Sequence, residues 1–137
     1  MMIHEQNRTT PRQIDFLAPD EIFVFGSNLR GRHQGGAALF AMRHFGAIWG
    51  IGIGRQGMSY AIPTMQGGTH TIKPYVDQFI RYAEHHPELR FLVTEIGCGI
   101  AGFSPLEIAP LFRAAKNVKN IYLPASFWQI LNDANIA

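Results

Sequence analysis

Apolar residues along the chain come in two kinds of group, short continuous runs and longer stretches with a three- and four-residue rhythm. EIFVF at 21–25 is β-branched and aromatic and meets Gly26-Ser27-Asn28 at once, which predicts a strand ending in a turn. From Gly36 to Phe45, Ala37, Leu39, Phe40, Ala41 and Met42 make an apolar, helix-favouring run that stops at Gly46, a common residue at helix C-termini. Residues 47–57, AIWGIGIGRQG, are punctuated by glycine and read as a connection. SYAIP at 59–63 predicts a second strand closed by Pro63.

Helical periodicity is clearest over 71–86, where Ile72, Tyr75, Val76, Phe79, Ile80 and Ala83 recur on one face. Thr71 is placed to cap this helix, with Pro74 inside its first turn. RFLVTEI at 90–96 is the most continuous strand signal and is expected near the sheet centre. It too runs into glycines, in GCGIAGF at 97–103. Ser104-Pro105-Leu106-Glu107 is then a helix start: Ser104 caps, Pro105 takes the first helical position and Glu107 closes a capping box. Pro110 is expected to kink this helix. NIYLP at 120–124 predicts a last strand and SFWQILNDA at 126–134 a last helix. Strands alternating with helices imply an α/β fold with a mostly parallel sheet.

Composition adds bounds. At 137 residues, 47% hydrophobic and 16% charged, residues 1–137 suit a single globular domain, with only the polar residues 1–12 open to disorder. One cysteine, Cys98, excludes an intramolecular disulfide and a cysteine-rich zinc site and fits a reducing, cytoplasmic location. No apolar run approaches the roughly 20 residues that span a bilayer, and the start lacks the apolar core of a signal peptide, so no membrane partner is expected. There is no internal repeat.

Net charge is only +2, yet its distribution is uneven. No acid occurs between Glu21 and Asp77, an interval that holds Arg30, Arg32, Arg43, Arg55 and Lys73, as if this half faces an anion. Within it, residues 25–40, FGSNLRGRHQGGAALF, carry glycines at 26, 31, 35 and 36. Two predicted strands thus end in glycine loops that open helices, at 26–36 and 97–104. In a parallel sheet both lie on the carboxyl edge, where backbone N–H groups and helix N-termini bind phosphate.

Better-known motifs do not apply. GIGRQG at 52–57 matches G-x-G-x-x-G, but a strand follows where a helix is required. No G-x-x-x-x-G-K-[ST] is present, and the six histidines show no metal-binding spacing, so neither a metal nor another cofactor is expected. Cys98, at a glycine loop near a helix N-terminus, is in a setting that favours thiolate, but no histidine is near it in sequence.

GSNLRGRHQGGAALFAMRHFG resembles the first signature of the macro domain family, and IGCGIAGF before a capped helix resembles the second, a G-x-G-[IV]-x-G-aromatic phosphate loop. GMSYAIPT between them resembles the family's short G-x-a-x-x-T strand. The likeness covers residues 21–116. It implies a three-layer sandwich, a mostly parallel mixed sheet between helices, that binds ADP-ribose or a related nucleotide, free or attached to a macromolecule.

By this resemblance Gly26 and Ser27 end the strand and Asn28 bonds the distal ribose. Gly35 and Gly36 approach that ribose and the diphosphate, and Gly97, Cys98, Gly99, Ile100, Ala101 and Gly102 form the diphosphate loop, with Phe103 its closing aromatic. The chain departs from the family in three places. Ala37, Ala38 and Leu39 stand where hydrolytic members carry an aspartate, Ala101 replaces an aromatic, and only Asp15 and Asp20 are candidates for the adenine-binding aspartate.

Hydrolysis of an ADP-ribosyl bond needs a general base, for which Glu95 and His33 flank the two loops. A salt-bridged strand end and an exposed loop histidine are the simpler readings of these two. An ADP-ribose reader without turnover is the alternative. RNA binding through Arg30, Arg32, Arg43 and Arg55, with Trp49 and Tyr60 stacking, ranks third, because those aromatics are more economically core; nucleic acid is not an expected partner.

Overall fold

The computed structural model describes residues 8–133. Five strands form one sheet in the order β2-β3-β1-β4-β5, with β1 (Glu21–Ser27), β2 (Gly54–Gln56), β3 (Ser59–Pro63), β4 (Arg90–Val93) and β5 (Ile121–Tyr122). β1 lies at the centre and pairs in parallel with β3 (Val24 opposite Tyr60) and with β4 (Val24 opposite Val93). β4 pairs in parallel with β5. The short strand β2 was not expected. It pairs antiparallel with β3, so GIGRQG leads into a hairpin turning at Gly57-Met58 rather than a strand-to-helix phosphate turn.

Helices cover both faces, because alternate strand residues point opposite ways. Ile22, Val24, Tyr60, Ile62, Phe91 and Val93 face the larger core, shared with α2 (Thr69–Glu84), the 3-10 helix Ala109–Asn117 and α4 (Ala125–Leu131). Phe23, Phe25 and Ala61 face a smaller core with α1 (Gly36–His44) and Phe45. Phe79 of α2 joins three elements, its ring lying edge-on to Tyr60 of β3 (5.1 Å), Phe91 of β4 (5.5 Å) and Phe112 of the 3-10 helix (6.4 Å). No helix among the described residues is long and apolar enough to cross a membrane.

Several local expectations are corrected. α2 starts at Thr69 with Gly68 as its N-cap, two residues before the expected start. Thr71 instead lies within the first turn, and its hydroxyl donates to Gly68 O (2.6 Å). Pro74 therefore stands inside the helix, which continues through it on the buried stripe Ile72, Val76, Phe79, Ile80 and Ala83. β4 ends at Val93, leaving residues 94–96 to turn towards the second glycine loop. The Ser104–Glu107 capping box forms as expected around α3 (Pro105–Ile108). Beyond it, at Pro110, the chain tightens into the 3-10 helix, since proline has no N–H for the α-helical ladder.

Residues 8–10 are tied into the fold; residues 1–7 lie outside the described chain. Thr9 bridges to Leu123 in parallel, extending the sheet beyond β5. The Arg8 guanidinium donates to the carbonyls of Lys116 (2.9 Å), Val118 (2.6 Å) and Ile121 (2.8 Å) and lies 5.0 Å from the Trp128 ring centre. Trp128 Nε1 donates back to Arg8 O (2.8 Å). One buried cation is thus satisfied by carbonyls at the end of the 3-10 helix, where helix termini carry negative partial charge, and at the start of β5.

Candidate functional site

The parallel strands β1, β3, β4 and β5 all end on the same sheet edge, and two clefts lie there. The smaller, about 440 Å3, is lined by Gly26, Ser27 and Asn28 after β1, by Gly35 to Ala38 at the start of α1, by Thr64 after β3, and by Gly97 and Gly99 to Ala101 of the second loop. Segments some seventy residues apart in sequence are in direct contact: a side-chain carbon at Gly26 would lie 3.3 Å from Gly97 N and 3.4 Å from Thr64 Oγ1. Across the cleft, Ile100 Cδ1 comes within 3.5 Å of where a side chain at Gly35 would begin. The larger cleft, about 710 Å3, adjoins the first at Gly36, Ala37, Thr94 and Glu95. Its far wall is residues 10–15 together with Pro124, Ala125, Ser126 and Gln129.

Each element explains a feature of the smaller cleft. α1 begins at Gly36 after the N-cap Gly35, with no side-chain cap and no acid in its first turn, so its leading N–H groups are open to an incoming acceptor. Asn28 uses its amide within the loop, Nδ2 donating to Arg32 O (3.0 Å) and Oδ1 accepting from Arg32 N (2.9 Å). That bond fixes the turn carrying Arg32, the cation that lines the cleft. The second loop is tied by Phe103 N to Gly97 O (2.8 Å) and Gly102 N to Gly99 O (3.0 Å). Ile100 stands out at 76% exposure and with Met65 gives the cleft an apolar rim.

Of the residues named from the sequence, Gly26, Ser27, Asn28, Gly35, Gly36, Glu95, Gly97, Gly99, Ile100 and Ala101 line the smaller cleft. Cys98 and Phe103 instead pack against the larger core and support the loop from behind. Neither they nor Gly102 line the cleft. The setting expected to favour a thiolate at Cys98 does the reverse. Burial pushes the thiol up to about 11, with Glu95 and Glu107 adding to the rise, and α3 is a single short turn.

His33 was expected on an exposed loop as a candidate base. It is fully buried, its ring edge-on to Phe25 (5.4 Å) with Nε2 3.0 Å from Ile48 O, and it does not line the cleft. Glu95 does, and borders both clefts; its carboxylate is bonded by the Ser126 hydroxyl rather than salt-bridged. The two adenine candidates separate. Asp20 is held by a bidentate pair with Arg90 (2.8 and 3.0 Å), the first residue of β4, and this bonding lowers its pKa. Asp15 lines the larger cleft, where it accepts from Gln13 (3.0 Å).

The acid-free interval does not act as one cationic face. Only Arg32 of its cations lines the cleft; Arg55 bonds Gly57 O and Tyr82 at the β2 edge, and Lys73 pairs with Asp77 (2.7 Å). Trp49, read as core, is 53% exposed, whereas Tyr60 is buried, so the two do not form one stacking surface. Thr94, Ser126, Arg12 and Gln129 line the clefts without having been singled out, because nothing local marks them; they arrive by strand order. No group of three or more histidine, cysteine or acidic side chains that could hold a metal occurs among the described residues. No family model, curated protein or solved structure matches the chain.

Proposed function

We propose that this protein binds ADP-ribose or a related nucleoside diphosphate in the crevice between its two glycine loops, in the manner of a macro domain. The observation that carries this reading is the meeting of both loops on one sheet edge, Gly26 against Gly97, around the uncapped start of α1. Backbone N–H groups and Arg32 give the smaller cleft its affinity for phosphate. The adjoining larger cleft, at about 710 Å3, has room for a nucleoside. The departures from the family leave this reading intact, since the diphosphate loop rests on glycine backbone rather than on the missing aspartate.

Binding without efficient turnover is the form we favour. A hydrolase would need a base at the ligand, and of the two candidates His33 is buried away from the cleft. Glu95 remains, accepting a hydrogen bond from Ser126. The reading is tested by thermal shift with ADP-ribose and AMP. ADP-ribose should raise the melting temperature and AMP should do less, because a ligand that binds only the folded state stabilises it by mass action. Equal shifts would mean that adenosine alone is recognised, and no shift with either would remove the proposal.

A further inference from the structure

The two clefts meet at Gly36, Ala37, Thr94 and Glu95, and the polar atoms on the two sides of that junction differ in kind. On the β4 side Thr94 Oγ1 gives its proton to Val24 O (2.8 Å), and Ser126 Oγ gives its proton to Glu95 Oε2. Both hydroxyls have therefore used their donor and keep only lone pairs, while an ionised carboxylate accepts and never donates. Glu95 makes no salt bridge among the described residues. At the junction itself Gly36 and Ala37, the start of α1, offer N–H donors. A molecule lying across the junction must thus present hydrogen-bond donors to Glu95 and acceptors to the loops.

Resting on the diphosphate reading above, we infer that the junction reads the 2′,3′-diol of the nucleoside ribose, with Glu95 touching the hydroxyls and Ser126 positioning its carboxylate. Two vicinal hydroxyls supply two donors to a cluster of acceptors, and carboxylates hold ribose hydroxyls in this way in dinucleotide sites. The same carboxylate repels a phosphate on the 2′-oxygen. The site therefore selects ribonucleoside diphosphates over 2′-deoxy and 2′-phosphorylated ones. The geometry also gives Glu95 work at the nucleoside ribose, in keeping with binding rather than turnover.

Calorimetric titration of the whole chain with ADP, 2′-deoxy-ADP and ADP carrying a 2′-phosphate tests the inference. ADP should bind about tenfold or more tighter than 2′-deoxy-ADP, since a hydrogen bond to a charged group is lost, and the 2′-phosphorylated form should not bind. Glu95→Gln, at an exposed position, should leave the melting temperature unchanged and bring ADP and 2′-deoxy-ADP to within about twofold of each other. Ser126→Ala should reduce the ratio of ADP to 2′-deoxy-ADP affinity, and Ser126→Thr should restore it, which a merely structural serine would not do. Equal binding of ADP and 2′-deoxy-ADP by the unaltered protein overturns the diol inference while leaving the diphosphate reading standing. Failure of both ADP and ADP-ribose to bind overturns the two together.

Discussion

The first glycine loop, 28–36, is held from within by polar atoms, and the second, 97–103, is held from behind by apolar ones. In the first, Asn28 clasps Arg32, Gly31 N bonds Asn28 O, Gly50 N bonds Gly31 O (2.8 Å) and His33 reaches Ile48 O. In the second, Phe103 and Cys98 join the core, and the capping box starts the next helix. The glycines differ accordingly. Gly31 sits at φ +66°, and a side chain there would begin 2.2 Å from Ile51 N; a side chain at Gly99 would meet nothing within 4 Å. Gly31 is needed so that two backbone segments can touch, whereas Gly99 faces open space. Glycine thus serves packing at Gly31 and access at Gly99, and each loop also holds the other kind, Gly36 being open in the first and Gly97 packed against Ile108 in the second.

The contrast is broken most directly at Gly31. Gly31→Ala should destabilise the fold by roughly 3 kcal/mol or more, because a left-handed backbone and a clash with backbone atoms act together, and urea denaturation measures the loss. Gly99→Ala in the same assay should stay within about 0.5 kcal/mol of the parent. Equal losses would mean that the two loops are built alike. Gly99→Glu then isolates the access role. It should abolish the thermal shift given by ADP-ribose while the unliganded melting temperature stays near that of the parent, since it puts an anion on the proposed phosphate path without a steric conflict. Retained binding would place the phosphates elsewhere.

Cys98 reports on the apolar support of the second loop. With its thiol pushed up to about 11 from 9.0, alkylation by iodoacetamide at pH 8 should run about ten- to a hundredfold slower than for an unhindered cysteine, because only the thiolate reacts. The sign for stability follows. Below pH 9 the thiol is protonated in folded and unfolded chains alike. As pH rises from 9 towards 11 the unfolded chain ionises first, so Cys98 makes the fold less stable across that window. Rapid labelling at pH 8 would show that the loop stands away from the core. A modest effect is expected at Asn28. Asn28→Ala should cost about 1 kcal/mol in urea denaturation by releasing the turn at Arg32, and it should weaken ADP-ribose binding by a few-fold. No change in either would mean that the Asn28 clasp does not hold the loop.

Local chemistry made much of this legible. SYAIP spans the observed strand end to end, Ser104 and Glu107 cap a helix as their spacing requires, and both glycine loops lie where strand-then-glycine placed them. These features depend on residues within a few positions of one another. β2 was hidden because Gly54-Arg55-Gln56 carries no strand signal; it pairs only because Gly57 and Met58 turn it back on β3. α2 began early for a similar reason. Gly68 and Thr69 precede the apolar periodicity that begins at Ile72, so nothing local marks the true start.

What the sequence determined by itself was the alternation of strands and helices, the glycine turns between them, and hence an α/β sheet with two backbone-rich loops on its carboxyl edge. The tertiary structure decided which atoms those loops meet. It buried His33 against Phe25, turned Cys98 into the core, spent Asp20 on Arg90 and brought Ser126 to Glu95 across thirty-one positions of chain. The physical reason is range. Hydrogen-bonded turns and helix caps are settled by neighbours in sequence, but burial, charge pairing and the convergence of donors and acceptors depend on strand order, which no local pattern specifies.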